Sequence, residues 1–145
     1  MAQVGVLEDD PVLRNDIGNA LSGLGHQVTT FDDADEGMLI CASERIDLLI
    51  VDLFIHRDRS FVMEGGLSFI SRIRNETDNP TEADVPILAI SGGAVLIGGQ
   101  DPLETAVIAG ATQVMRKPVN LMELLSVSQS LLGGDAEPPT GADNS

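Results

Sequence analysis

The stretch that most constrains this chain is Asp47-Leu48-Leu49-Ile50-Val51-Asp52. Four consecutive apolar residues, two of them β-branched, end in a carboxylate. A short apolar run bounded by polar residues is the pattern of a strand buried on both faces, the habit of a parallel sheet. Three other stretches repeat the design. Residues 4–7 run into Glu8 and Asp9, residues 85–90 run into Ser91, and residues 112–116 run into Lys117. In a parallel sheet all these polar residues would arrive at one edge.

The segments between the strands read as helices. Asp10 before Pro11 supplies a cap and a first-turn proline, and Asp101, Pro102 and Glu104 repeat that signal. Asp33 with Glu36, and Asn120 with Glu123, have the spacing of capping boxes. Val12, Ile17, Leu21 and Leu24 fall on one helical face, as do Leu67, Ile70, Ile73 and Phe69. A β-branched strand at Gln27–Phe31 completes the series. The alternation is (βα)5, which predicts an α/β fold: a doubly wound, parallel, five-stranded sheet of flavodoxin-like order 2-1-3-4-5. Residues 53–64 show neither helical nor strand period and are expected to form a long connection. Residues 133–145, with Pro138-Pro139 and no apolar period, are expected to be a disordered tail on a domain of residues 1–132.

With order 2-1-3-4-5 the first and third strands are neighbours at the switch point, and Glu8, Asp9 and Asp52 crowd one crevice. Three carboxylates that close need a compensating cation. A hard divalent ion such as Mg²⁺ suits them. Lys117, the only lysine in the chain, would bring a second positive charge. Cations gathered over a carboxylate fit phosphoryl transfer, with Asp52 as nucleophile, Ser91 donating a hydroxyl and Lys117 pairing with a phosphoryl oxygen.

Charge narrows the partners. Among 145 residues, 23 acidic against 8 basic give a net charge of −15, which opposes nucleic-acid backbones and anionic membranes. The longest apolar runs are too short to span a bilayer, and the first residues lack a signal-peptide pattern, so a cytoplasmic protein is expected. The single cysteine, Cys41, reads as a packed thiol, and the absence of Trp and Tyr predicts an aliphatic core.

These motifs resemble the receiver domain of bacterial two-component response regulators: Glu8-Asp9 after the first strand, Asp52 after the third, Ser91 after the fourth, Lys117-Pro118 after the fifth. The resemblance covers residues 3–132. It implies phosphorylation of Asp52 by a histidine kinase or histidine phosphotransfer protein. It also implies Mg²⁺ held by Glu8, Asp9, Asp52 and the backbone carbonyl of Phe54. It implies a signalling protein rather than a turnover enzyme, acting alone through protein contacts or phosphorelay, as a monomer or weak homodimer. Three features depart from the family pattern. Ile55-His56 stands where Met-Pro is usual. About six extra residues before Gly66 place Arg57, Arg59 and Phe61 in an enlarged loop. Val114 occupies the position of the aromatic switch residue. Two rival readings are a degenerate receiver that binds partners without phosphorylation and a dehalogenase-type phosphohydrolase. The intact acid pair, aspartate, serine and lysine oppose the first. The lack of an Asp-x-Asp nucleophile after the first strand opposes the second.

Overall fold

A computed structural model describes residues 1–53, 55–57, 60–76, 78–92 and 102–133. Among the described residues the chain runs β1 (Gln3–Leu7), α1 (Pro11–Ser22), β2 (Gln27–Phe31), α2 (Ala34–Ser43), β3 (Leu48–Asp52), β4 (Ile55–Arg57) and β5 (Ser60–Val62). It continues through α3 (Met63–Asn75), β6 (Ile87–Gly92), α4 (Pro102–Ala109), β7 (Gln113–Lys117) and α5 (Leu121–Leu131). Five strands form one parallel sheet in the order β2-β1-β3-β6-β7. Counted within that sheet alone, this is the expected 2-1-3-4-5.

The central strands β1, β3 and β6 bury both faces, and their alternation divides the core. Leu49 and Val51 face a cluster with Phe31, Cys41, Phe69, Ile70 and Ile73, under α2, α3 and α4. Leu48 and Ile50 face the other side with Val4, Val6, Ile17, Leu21 and Leu124, under α1 and α5. The core is aliphatic except on the first face, where Phe31 and Phe69 meet edge to face with centroids 5.6 Å apart. Cys41 is buried and unbridged, and burial pushes its thiol pKa up.

Helix caps follow the sequence. The Asp10 carboxylate accepts from Val12 N, Asp33 from Glu36 N, and Asn120 from Glu123 N. The box at Asp33 closes one residue early, because the Glu36 carboxylate accepts from Asp32 N at 3.4 Å rather than from the cap residue. Arg74, near the end of α3, reaches a carbonyl cluster. Its guanidinium donates to Ala83 O, Val85 O and twice to Gly110 O at 2.6–3.0 Å, tying α3 to the turn that ends α4.

Several expectations need correction. Val12 is 68 % and Leu24 48 % exposed. Val12 lies in the first turn of α1, and α1 stops at Ser22, so Leu24 has left the helical face. Residues 53–64 are not a structureless connection. They contain the antiparallel hairpin β4–β5, with Ile55 opposite Val62 and Arg57 opposite Ser60, and α3 begins at Met63 rather than at Gly65-Gly66. Ser91 lies inside β6, which starts after Pro86, and Lys117 is the last residue of β7. Phe54, Arg59, Gly93, Asp101 and residues 134–145 lie outside the described residues. No helix among the described residues is long and apolar enough to cross a membrane.

Candidate functional site

Register builds the site. Leu7 pairs with Val51, so one step further the β1 and β3 ends bring Glu8 beside Asp52. Asp52 pairs with Ile90, which sets Ser91 next along β6, and Gly92 pairs with Lys117. The Lys117 stem passes over Gly92, where a Cβ would lie 3.6 Å from Lys117 Cδ. Four strand ends thus deliver Glu8, Asp9, Asp52, Ser91 and Lys117 to one edge of the sheet.

Carboxylate oxygens of Glu8, Asp9 and Asp52 all lie within 4.8 Å of one another. Lys117 Nζ stands 3.2 Å from Asp52 Oδ2 and 3.3 Å from Glu8 Oε1. Burial alone would lower the Lys117 pKa, but the two carboxylates outweigh it and raise the value, so the ammonium persists. Glu8 and Asp52 are 1 % and 2 % exposed. Burial, reinforced by the Asp52 charge, pushes the Glu8 pKa up to about 7. Ser91 is 1 % exposed, and its Oγ has no hydrogen-bond partner among the described residues. An unpaired buried hydroxyl is costly unless a ligand meets it.

The β1–α1 turn is fastened at several points. Glu8 N donates to Phe31 O at 3.2 Å, and Asp10 N donates to Glu8 Oε2 at 3.1 Å. Arg14, in the first turns of α1, donates from Nη1 to the Glu8 carbonyl at 3.2 Å. The sequence offers little sign of this contact, because an arginine on a helix reads as a solvated side chain.

The residues fit a hard cation. Three clustered carboxylates are oxygen donors of the kind Mg²⁺ takes, and a cation would relieve the Asp52 repulsion that adds to burial in raising the Glu8 pKa. The site as sequence reasoning composed it is brought together at Glu8, Asp9, Asp52, Ser91 and Lys117. Phe54, the remaining expected ligand, lies outside the described residues.

A doubly wound sheet with an acid pair, an aspartate, a hydroxyl and a lysine at its strand ends defines the architecture of two-component receivers. The chain belongs to the response regulator receiver domain family, whose model matches residues 4–129. It is 30 % identical over 132 residues to the virulence transcriptional regulatory protein PhoP of Salmonella typhimurium, covering 91 % of this chain. The chain spans about half the length of that relative, 52 %. The receiver domain of the sensor histidine kinase PA1611 from Pseudomonas aeruginosa, with a magnesium ion coordinated in its active site cleft, superposes with a TM-score of 0.74. It is 25 % identical, covering 91 % of this chain and 98 % of that one. A CheY-like response regulator receiver domain protein from Methanospirillum hungatei shares the fold at a TM-score of 0.74 and 20 % identity, covering 91 % and 94 %. Receiver domains are phosphorylated by histidine kinases, and the family binds Mg²⁺ at an acidic pocket.

Proposed function

We propose that Asp52 accepts a phosphoryl group from a histidine kinase or histidine phosphotransfer protein, with Mg²⁺ held by Glu8, Asp9 and Asp52. The observation that carries this reading is Lys117 Nζ lying between Asp52 Oδ2 and Glu8 Oε1. The ammonium gives the buried Asp52 carboxylate a charged partner at 3.2 Å. An Asp52 oxygen attacks the phosphorus of a phosphohistidine in line. The O–P bond forms as the N–P bond breaks, and the departing imidazole takes a proton from solvent. Lys117 then pairs with a phosphoryl oxygen, and the Ser91 hydroxyl, without a partner among the described residues, donates to another. Mg²⁺, when bound, would neutralise charge on the transferring oxygens. On this reading the chain is a signalling protein whose chemistry is confined to its own phosphorylation and dephosphorylation.

Incubation with acetyl phosphate and Mg²⁺ should add one phosphoryl group per chain, detected by mass spectrometry. Asp52→Asn should abolish it, because an amide oxygen is a far weaker nucleophile. Undiminished labelling of Asp52→Asn would refute the assignment.

A further inference from the structure

A cation in the first turns of a helix opposes the macrodipole. Arg14 is such a cation: α1 starts at Pro11, and the acidic group at this end is the Asp10 cap just before it. The guanidinium turns back instead and donates from Nη1 to the Glu8 carbonyl at 3.2 Å. That carbonyl belongs to the peptide plane joining Glu8 to Asp9. Peptide planarity ties the carbonyl direction to the position of the Asp9 Cα. Whatever holds the Glu8 carbonyl therefore fixes the point from which the Asp9 side chain departs.

The bonds at Glu8 N and Asp10 N lie in the neighbouring peptides: Glu8 N, bonded to Phe31 O, in the preceding one, and Asp10 N, bonded to Glu8 Oε2, in the following one. Glu8 itself is fixed at both carboxylate oxygens, one by Asp10 N and one by Lys117. Asp9 is partly exposed and stands at the mouth of the acidic cluster.

We propose that Arg14 is a positioning residue for the cation site, holding the Glu8–Asp9 peptide so that the Asp9 carboxylate converges with Glu8 and Asp52. The inference rests on the reading that these three carboxylates hold Mg²⁺. Outer-shell groups that orient metal ligands commonly change metal affinity by 10–100-fold when removed. A single, partly exposed hydrogen bond belongs at the lower end, about tenfold.

The sign of the effect separates positioning from simple electrostatics. A positive charge near a cation site repels the cation, so neutralising Arg14 without any change in geometry would tighten Mg²⁺ binding. Loss of positioning weakens it. Mg²⁺ alone is the probe, and its affinity is read from the rise in unfolding midpoint with Mg²⁺ concentration. Arg14→Met keeps the aliphatic stem and helix propensity but removes the donors. It should leave the metal-free midpoint within about 2 °C of wild type and weaken Mg²⁺ binding about tenfold. Arg14→Lys, which retains a charged donor, should recover most of that loss. Arg14→Met binding Mg²⁺ as well as or better than wild type would overturn the proposal, as would Arg14→Lys binding as weakly as Arg14→Met. Wild-type protein with no Mg²⁺ response would instead refute the cation site itself.

Discussion

Two glycine-to-alanine substitutions in helices should have opposite signs. A Cβ on Gly66 would lie 2.5 Å from the Asp52 carbonyl oxygen, 2.6 Å from Leu53 Cα and 3.0 Å from Leu53 O. All three are backbone atoms of the strand end that carries Asp52, so no rotamer change can make room. Reaching an ordinary 3.4 Å contact requires α3 and the end of β3 to part by about 0.9 Å, the difference between 3.4 and 2.5 Å. Overpacking of this kind costs up to about 3 kcal/mol, and alanine regains up to about 1 kcal/mol of helix propensity. Gly66→Ala should therefore lose about 2 kcal/mol and about 6–8 °C in unfolding midpoint. Gly18, inside α1, presents the contrary case: its Cβ would meet only Val28 Cγ1, at 3.9 Å. Gly18→Ala should gain roughly 0.5–1 kcal/mol. Urea unfolding followed by circular dichroism measures both. Because the separation moves Asp52 itself, phosphorylation of Gly66→Ala should also slow, by up to about 100-fold for a 1 Å misplacement. A Gly66→Ala protein as stable as Gly18→Ala would show that α3 does not press on the acceptor strand.

Metal-free stability should depend on pH through Glu8. Its pKa rises from 4.5 unfolded to about 7 folded, so between those values the folded state holds a proton that the unfolded chain has released. Stability must then fall as pH rises from about 4.5 through 7, by up to about 3 kcal/mol from this group. Urea titrations of wild type and Glu8→Gln without Mg²⁺ should show the difference, the variant losing that decline, and parallel pH curves would contradict it. Arg74→Met should cost about 3 kcal/mol, since it leaves the carbonyls of Ala83, Val85 and Gly110 without their charged donor. A loss under about 1 kcal/mol in the same assay would mean that water replaces the guanidinium.

The sheet and most of the site were legible because buried parallel strands spell themselves out as apolar runs, and functional side chains follow at their ends. Asp52, Ser91 and Lys117 needed only the alternation of strands and helices to be brought to one edge. The hairpin β4–β5 was not legible. Its strands have three residues each, and Ile-His-Arg and Ser-Phe-Val carry too few positions for a period of two to register. Arg14 and Arg74 were missed for a common reason: each bonds to backbone carbonyls, which every residue has, so no sequence pattern marks the acceptor. Val12 and Leu24 show the reverse error, where helical spacing is extended into the exposed first turn of α1 and past its end at Ser22.

The candidate site draws Glu8 from near the start of the chain and Lys117 from the end of the last described strand, with Asp52 and Ser91 between. Such a site has no local precursor. Neither a nascent chain nor a fragment lacking β7 can bring the ammonium to the aspartate, and contacts so distant in sequence form late because chain closure must precede them. With Asp52 as the proposed acceptor, phosphorylation would require the completed sheet, and phosphate incorporation would then count finished molecules.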